Sequence, residues 1–201
     1  MNKPIKANKL YYIVLRPILK FLYFVLYHPK YIHTENIPPQ GRILLAGNHV
    51  NVKDPCNVLC STKRHVYFLA KSELFVPWYS FVFKSAGCIS VDCDHKSHDS
   101  TEKAIEQLND DEAVGIFPEG QVKKDPSLIL QPFKNGVIKM AKETDSLIVP
   151  FAIIGKYKLF FNNLKVVYGK PVDVKDMSYE EANKFLFDTI YKLIVENSNE
   201  N

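Results

Sequence analysis

Acidic residues are absent from the first 34 positions of this 201-residue chain. The same segment holds six basic residues, so the net charge of +4 derives from the N-terminus and the remainder of the chain is slightly acidic. A nucleic-acid-binding domain normally carries its positive charge on the folded domain itself. This distribution therefore argues against nucleic acid as a partner.

Cysteine is also scarce. The four cysteines are Cys56, Cys60, Cys88 and Cys93. Small secreted domains depend on many disulfides, whereas a chain of this length can bury a sufficient core without them. We therefore expect free thiols and a location on the cytoplasmic side. Their spacing does not match paired zinc ligands, and His95 and His98 lie in a polar loop, so the sequence predicts no metal site.

Several motifs of well-known enzyme classes are missing. The chain has no Gly-x-Ser-x-Gly elbow for a serine nucleophile, no glycine-rich phosphate loop and no dinucleotide fingerprint. It also has no internal repeat or low-complexity tract. With 46% hydrophobic and 24% charged residues, its composition is typical of one globular domain.

Charge interrupts the longest apolar stretch, residues 10–27. A signal peptide or a membrane-spanning helix is disfavoured, because Arg16 and Lys20 lie near the middle and each would cost about 2.5 to 3.5 kcal/mol on insertion. On a helix these two cations share one face, while apolar residues such as Phe21 and Phe24 fill the rest. The pattern predicts a helix that lies in the membrane interface.

Proline is tolerated at the start of a helix but not inside one, so Pro17 is expected to divide the stretch into two short helices. Residues 1–30 are thus predicted to form an amphipathic helix pair, and residues 31–201 the main domain. Anionic lipid attracts basic residues by about 1 kcal/mol each, which favours a peripheral or monotopic protein on the cytoplasmic face of a membrane. The predicted membrane contacts are Arg16, Lys20, Phe21 and Phe24. Alternatively, the helix pair packs on the core of the domain.

Beyond residue 31, short apolar runs alternate with helical patterns. Runs of strand length occur at residues 42–47, 66–70, 88–91, 113–117, 147–154 and 164–168. Helical patterns follow Asp54 and cover residues 77–85, 100–108, 135–142 and 180–195. This alternation predicts a single α/β domain with a mixed, largely parallel sheet flanked by helices. Ligands of such domains bind outside the carboxyl ends of the strands.

Polar residues follow the first predicted strand. His49 lies on the loop, and Asp54 with Pro55 is a typical helix start. In the simplest interpretation Asp54 only caps the helix. In the alternative, its carboxylate orients the imidazole, so that His49 can accept a proton from a hydroxyl group.

Other charged residues are expected at the same edge of the sheet. Glu119 and Gly120 follow the fourth predicted strand, Lys71 ends the second, and Lys134 precedes a helix. Lysines in such places suit a phosphate group. Taken singly, the glutamate and each lysine are better explained as solvated surface residues.

Together and in this order, the motifs resemble the glycerolipid acyltransferase family, typified by the lysophosphatidic acid acyltransferases of phospholipid synthesis. The resemblance covers about residues 30–175. The matching blocks are residues 48–54, 87–92, 117–120 and 149–152, with similar stretches at residues 35–48, 71–74 and 133–136.

The resemblance implies a mechanism. His49 would act as general base on the acceptor hydroxyl and Asp54 would orient it, with the acyl group supplied by a thioester of coenzyme A or acyl carrier protein and with no cofactor. The implied acceptor is 1-acyl-glycerol-3-phosphate. The residues that would bind or shape the acceptor site are Asn48, Lys71, Glu119, Gly120 and Lys134. The implied partners are membrane lipids, the lysophospholipid and acyl carrier protein.

Two positions depart from the family pattern. Cys93 and Val122 stand where the family has arginines associated with the acceptor phosphate, and neither residue replaces a bidentate arginine. Lys123 and Lys124 could supply charge from shifted positions. Another lysophospholipid or amphiphile therefore stays open as acceptor, as do a non-catalytic lipid-binding protein and, less favoured, a hydrolase.

Overall fold

Seven strands form one sheet in the order β1-β7-β6-β2-β5-β3-β4 in a computed structural model that describes residues 11–75, 80–91 and 97–198. The strands are β1 (Lys30–Ile32), β2 (Ile43–Gly47), β3 (Val66–Lys71), β4 (Ile89–Val91), β5 (Ala113–Ile116), β6 (Leu147–Ile154) and β7 (Lys165–Tyr168). The α-helices are α1 (Arg16–Tyr27), α2 (Asp54–Ser61), α3 (Ser80–Ser85), α4 (Ser97–Asn109), α5 (Gly136–Thr144) and α6 (Tyr179–Ser198). The expectation of an α/β domain with a mixed, largely parallel sheet is confirmed.

Neighbouring strands are parallel throughout the sheet except for the antiparallel pair β6 and β7. Ile43 of β2 lies opposite Ala113 of β5 on one side and Leu147 of β6 on the other. The carboxyl ends of β2, β5 and β6 therefore meet at one edge of the sheet. This edge is where a ligand site is expected in a parallel sheet.

The sheet is covered by helices on both faces, so its central strands are almost wholly apolar. Along β2, Ile43 and Leu45 point into one core cluster, which also contains Tyr23 of α1 and Val58 of α2. The alternate residues of β2 point into a second cluster on the other face, with side chains from α4, α5 and α6. Alternation of side chains along the strand thus gives two cores from one run of apolar residues.

The N-terminal segment is helical from Tyr11 to Tyr27. A π-helical turn, Tyr11–Leu15, leads into α1, and Pro17 lies in the first turn of α1, the place predicted for a proline. The first member of the expected helix pair would include residues outside the described range. Among the residues that the structure describes, no helix is long and apolar enough to cross a membrane.

The six predicted strands all appear, with bounds within one residue of those expected. The seventh, β1, was not predicted, because one lysine followed by two apolar residues does not differ from a loop at the level of sequence. Its pairing with β7, Lys30 opposite Lys165, depends on residues far along the chain. The predicted helices are confirmed where the structure describes them.

Candidate active site

The loop that joins β2 to α2 places His49 beside Asp54. The imidazole Nδ1 lies 2.8 Å from Asp54 Oδ2. Asp54 is fully buried, and the His49 side chain retains 15% of its exposure. Pro55 in the first turn allows α2 to begin directly at Asp54, so the six-residue loop returns a rigidly held carboxylate to the end of β2.

Asp54 accepts hydrogen bonds on both carboxylate oxygens. Oδ2 also accepts the backbone N–H groups of Val50 (2.7 Å) and Asn51 (2.8 Å), and Oδ1 accepts the phenol O–H of Tyr157 (2.7 Å). A buried carboxylate is costly unless such donors satisfy it. The interpretation of Asp54 as only a helix cap is wrong, because its bonds go to the loop and to Tyr157.

The hydrogen bond to Asp54 sets the protonation pattern of His49. A carboxylate can only accept, so Nδ1 carries the proton and Nε2 is left as the basic nitrogen. The ring is stacked on Phe117, with 4.0 Å between ring centroids and 13° between the planes. The imidazole therefore has one orientation, with a partly exposed base at the edge of the sheet.

Glu119 holds two loops of the site together. Its Oε1 accepts the backbone N–H of His49 at 2.8 Å, and Oε2 accepts the backbone and side-chain N–H groups of Gln131, each at 3.0 Å. The residue is 4% exposed. Glu119 was predicted as a substrate-binding residue, but its carboxylate positions the backbone of His49.

Asn48, another predicted substrate-binding residue, is similarly engaged within the protein. Its Nδ2 donates to the carbonyl oxygen of Ile153 (2.9 Å), and its Oδ1 accepts the N–H of Ile153 (2.7 Å). This amide pairs with the backbone of β6 where β2 ends. Asn48 therefore fixes the start of the loop that carries His49.

Lysines lie near these residues. Gly120 has φ +73°, and a Cβ there would lie 2.9 Å from Cε and Nζ of Lys134, so the absence of a side chain leaves room for that lysine. The backbone N–H of Lys123 donates to the His49 carbonyl oxygen at 2.7 Å. Lys71 ends β3, the neighbour of β5, and so stands at the same edge of the sheet.

The predicted membrane contacts divide into two groups. Arg16 is 8% exposed and donates to the carbonyl oxygens of Thr62 (2.5 Å) and Arg64 (3.1 Å), so it anchors α1 to the domain and does not face outward. Phe21 and Phe24 are both 66% exposed on the outer face of α1. The expectation that Arg16 contacts lipid is thereby corrected.

Lys20 lies between these two groups. It is half-buried and lines a groove of about 190 Å³. The other lining residues are Phe24, Pro29, Tyr31 and Cys60. Burial lowers the pKa of Lys20, with a further contribution from Arg16.

The cysteines in the described part of the chain are poor nucleophiles, because burial raises the pKa of each thiol. Burial raises the pKa of the Cys60 and Cys88 thiols to about 12 in each case, so both are protonated at neutral pH. Within residues 11–75, 80–91 and 97–198, no group of three or more His, Cys, Asp or Glu side chains is placed to hold a metal ion. Cys93 lies outside the described residues.

Tyr157 and Gln131 belong to this site and were not predicted. Tyr157 donates to Asp54 from the loop after β6, more than 100 residues along the chain, and no spacing signal links the two. Burial and the neighbouring Asp54 raise its pKa well above the usual range. Gln131 contacts Glu119 from the long loop after β5.

Comparison with known proteins gives a consistent result. The family model described as Acyltransferase matches residues 28–154. A 1-acyl-sn-glycerol-3-phosphate acyltransferase of Borreliella burgdorferi is 31% identical over 134 residues, which are 65% of this chain and 53% of that protein. The Bacillus subtilis protein of the same name is 25% identical over 156 residues, 75% of this chain and 76% of the relative. The chain thus spans about half the length of the first relative.

The fold has a counterpart among solved structures. The crystal structure of PlsC, the 1-acyl-sn-glycerophosphate (LPA) acyltransferase from Thermotoga maritima, superimposes with a TM-score of 0.73 at 22% sequence identity, over 90% of this chain and 79% of that one. At this identity the likeness shows the shared fold. The family match covers well over half of the chain and includes both the His49 loop and the Glu119 turn, so this chain belongs to the acyltransferase family.

Proposed function

We propose that this protein transfers a fatty acyl group from a thioester donor, acyl-coenzyme A or acyl-acyl carrier protein, to the free hydroxyl of 1-acyl-glycerol-3-phosphate. The contact between His49 Nδ1 and the buried Asp54 carboxylate carries this proposal, because it leaves a basic Nε2 at the partly exposed rim of the site. The names of the relatives from Borreliella and Bacillus support the choice of acceptor.

The chemistry follows from the properties of the imidazole. His49 Nε2 removes the proton of the acceptor hydroxyl, and the oxygen of that hydroxyl attacks the carbonyl carbon of the thioester. The tetrahedral intermediate collapses with cleavage of the carbon–sulfur bond, and the imidazolium returns the proton to the departing thiolate. Asp54 stabilises the imidazolium between these two transfers. The products are an ester and a free thiol, and no covalent acyl-enzyme is required.

Lysines at the same edge are suited to the acceptor phosphate. Lys134 lies across Gly120, next to the turn whose glutamate holds His49. Lys123 is joined to the His49 carbonyl oxygen through its backbone, and Lys71 ends a neighbouring strand. Lysine is a point charge with less geometric selectivity than arginine.

A second acceptor class is favoured by a residue that follows the matching block at residues 117–120. Val122 is half-buried where the family has an arginine, and an apolar side chain there cannot bind phosphate. The alternative acceptor is accordingly another lysophospholipid or a hydroxylated or aminated amphiphile. The same His49 and Asp54 would act on it.

We further propose that α1 holds the protein at a membrane surface as a peripheral or monotopic protein. The outer face of α1 exposes Ile18, Phe21 and Phe24, while the buried Arg16 fastens the inner face. Acceptor and product would both be membrane lipids. Placement at the surface would bring the site to its substrate.

The test is thiol release from acyl-coenzyme A and from acyl-acyl carrier protein, measured with lysophosphatidate and with a panel of other lysophospholipids. Wild type is compared with His49→Ala and with His33→Ala as a matched control. His33 has an exposed side chain that contacts Glu35 at 3.1 Å, outside the site. We expect acceptor-dependent release that falls by roughly 10²- to 10⁴-fold in His49→Ala and is unchanged in His33→Ala.

The pattern of acceptors separates the two candidates. Highest activity with lysophosphatidate supports the first, and highest activity with another amphiphile supports the second. If no donor and acceptor pair yields thiol while the folded protein still binds vesicles, the protein is a lipid-binding member of the family and acyl transfer is wrong.

A further inference from the structure

A second exposed apolar surface, separate from α1, lies near the catalytic edge of the sheet, which is the edge where β2 ends and the His49 loop begins. The loop of residues 155–164 joins β6 to β7 and exposes Leu159 (54%), Phe160 (68%) and Phe161 (48%). Since β6 runs parallel to β2, with Gly47 opposite Phe151, this loop leaves the sheet at the same edge as His49. Three consecutive bulky apolar side chains facing water are unusual for a loop, and exposed patches of this kind mark interaction sites.

The loop is fastened to the end of α1. The backbone N–H of Phe160 donates to the carbonyl oxygen of Leu26 at 2.7 Å. The rings of Tyr157 and Tyr27 meet edge to face, with 5.5 Å between centroids. The apolar tip therefore lies beside the C-terminal turn of the helix whose outer face exposes Phe24. Two exposed apolar surfaces are thus neighbours in the fold.

Charge around the loop has one sign. From residue 146 to residue 172 the sequence has no acidic residue, and Lys156 and Lys158 are both exposed beside the apolar tip. The ammonium group of Lys158 lies 4.1 Å from the centroid of the Phe161 ring. The N-terminal segment up to residue 34 is equally free of acids. Apolar side chains with a cationic border are complementary to an anionic bilayer surface.

The backbone of the loop supports a role for the exposed side chains. Phe160 has φ +61°, a conformation that favours glycine or asparagine over a bulky residue. The base of the loop is tightly closed, because a Cβ on Gly155 would collide with the carbonyl oxygen of Asn163. Backbone strain makes a phenylalanine in this conformation energetically costly. That cost is explained if the exposed ring has a binding role.

We propose that residues 158–161 form a second membrane contact, which enters the lipid interface beside the catalytic edge. The occupant of this surface is an anionic phospholipid bilayer. Together with α1, the loop would fix the orientation of the domain on the surface, with His49 turned towards the lipid headgroups. This proposal does not depend on the acyl-transfer chemistry.

The test is a tryptophan scan in which Trp78, the only tryptophan of the chain, is replaced by phenylalanine. Single tryptophans are then introduced as Phe160→Trp in the loop, Phe21→Trp on α1 and Phe185→Trp on α6. Phe185 is 42% exposed on the helix that covers the other face of the sheet, so it is a matched aromatic control. Each variant is mixed with phosphatidylcholine and phosphatidylglycerol vesicles whose acyl chains are brominated, which quenches only tryptophan at acyl-chain depth.

We expect about a twofold loss of fluorescence at positions 160 and 21 and no change at position 185, because interfacial contacts reach the boundary of the acyl chains. Quenching at position 21 without quenching at position 160 would overturn the loop proposal and leave the proposed role of α1 intact. Quenching at all three positions would indicate nonspecific insertion and would also overturn it. An active enzyme with no quenching at positions 160 and 21 would refute both membrane contacts and leave acyl transfer unaffected.

A second variant measures the contribution of the loop to binding. Asparagine adopts the left-handed conformation readily, so Phe160→Asn removes the ring without straining the backbone. Partitioning onto the same anionic vesicles is expected to weaken about tenfold, whereas Phe185→Asn leaves it unchanged. Equal partitioning of the wild type and Phe160→Asn would show that the loop makes no membrane contact.

Discussion

The charged residues at the two ends of the central strands differ in their burial and in their partners. At the amino ends, Arg42 contacts Asp111 at 3.0 Å and Lys175 contacts Asp145 at 3.0 Å, and both aspartates are about two-thirds exposed. At the carboxyl ends, Asp54 is fully buried and Glu119 is 4% exposed. Both of these carboxylates accept hydrogen bonds from neighbouring loops.

The charged residues at the amino ends form exposed ion pairs, whereas those at the carboxyl ends hold the residues of the site in position. Exposed ion pairs contribute about 0 to 1 kcal/mol each, because water already solvates the separated groups. A buried carboxylate carries a desolvation cost and stays ionised only where several donors converge on it. At the carboxyl ends that convergence fixes the backbone and the ring of His49. The same residue type is therefore expected to be far more sensitive to substitution at one end than at the other.

The strongest test of this comparison replaces a carboxylate by an amide at each end. In Asp54→Asn, the amide oxygen is expected to stay at the position where the backbone N–H groups of Val50 and Asn51 converge, but the negative charge that stabilises the His49 imidazolium is lost. We expect kcat for acyl transfer to fall roughly 10³- to 10⁴-fold. Thiol release with saturating donor and acceptor measures it.

Asp111→Asn is the matched control at the amino end. Asp111 has φ +61°, which asparagine also tolerates, and it contacts Arg42 at the surface. Activity should be unchanged and the free energy of unfolding lowered by about 0.5 kcal/mol. A similar loss of activity in both variants would show that the two ends do not differ in function.

The amino ends also contain a buried titratable group, His65. Its effect on stability at low pH extends the comparison between the two ends. Burial, with a contribution from nearby Arg16, lowers its pKa from 6.5 to about 4. Below pH 6.5 the unfolded chain therefore takes up a proton that the folded protein does not. Stability should fall as the pH drops from about 6.5 to about 4, by about 3 kcal/mol in total.

Comparison with His65→Gln isolates this effect, because glutamine is polar but does not titrate. Urea unfolding at a series of pH values should give a steeper loss of unfolding free energy in wild type than in the variant across that window. Carboxylates titrate in both proteins and cancel in the difference. If the free energy of unfolding fell equally with pH in both proteins, His65 would not be a cause of the loss of stability in acid.

At the carboxyl ends, Glu119→Gln tests the second buried carboxylate. The amide group of glutamine would place N–H donors against one of the backbone N–H groups now bonded to Glu119, at His49 or at Gln131. We expect a loss of about 2 kcal/mol in the free energy of unfolding and reduced kcat, because a buried donor is left unpaired. Urea denaturation and thiol release measure the two effects.

Glu143→Gln is the control for this substitution. Glu143 lies on α5 and contacts Lys139 at 3.7 Å, an exposed pair one helical turn apart. Its replacement should lower stability by no more than about 0.5 kcal/mol. If both variants lose equal stability, burial at the carboxyl ends has no special cost.

Sequence reasoning reached the fold and the central pair of this site for the same reason, because both are specified by local signals. Period and length of apolar runs are local signals, so β2 and β6 were predicted within one residue. The pairing of His49 with Asp54 is also local, since a five-residue spacing and a helix start bring them together. Contacts that join distant loops carry no such signal.

The errors share this physical origin. Asn48 was expected to touch substrate, but it bonds to Ile153, and Arg16 was expected to face lipid, but it bonds to Thr62 and Arg64. In each case a polar side chain next to a functional segment satisfies the backbone of a distant one. Such partners depend on tertiary packing, which periodicity does not specify.

The smallest expected effect on activity concerns Tyr157, which donates a hydrogen bond to Asp54 Oδ1. Tyr157→Phe removes one of the hydrogen bonds to this carboxylate and leaves those on Oδ2 from His49, Val50 and Asn51. We expect kcat to fall about tenfold with KM unchanged, because Tyr157 acts through Asp54 as a positioning residue. Steady-state kinetics with both substrates separate the two constants.

Tyr168→Phe provides the control, because the buried Tyr168 bonds to Ser61, away from Asp54. Tyr168→Phe removes the hydrogen bond with Ser61, and Tyr157→Phe removes the bond to Asp54 and a longer one from Asn57 Nδ2 at 3.3 Å. Each variant should lower the free energy of unfolding by about 1 to 2 kcal/mol, but only Tyr157→Phe should lower kcat. A fall in kcat of the same size in both variants would trace the effect to general loosening of the core. Unchanged kcat in Tyr157→Phe would mean that the loop contacts alone hold Asp54 against His49.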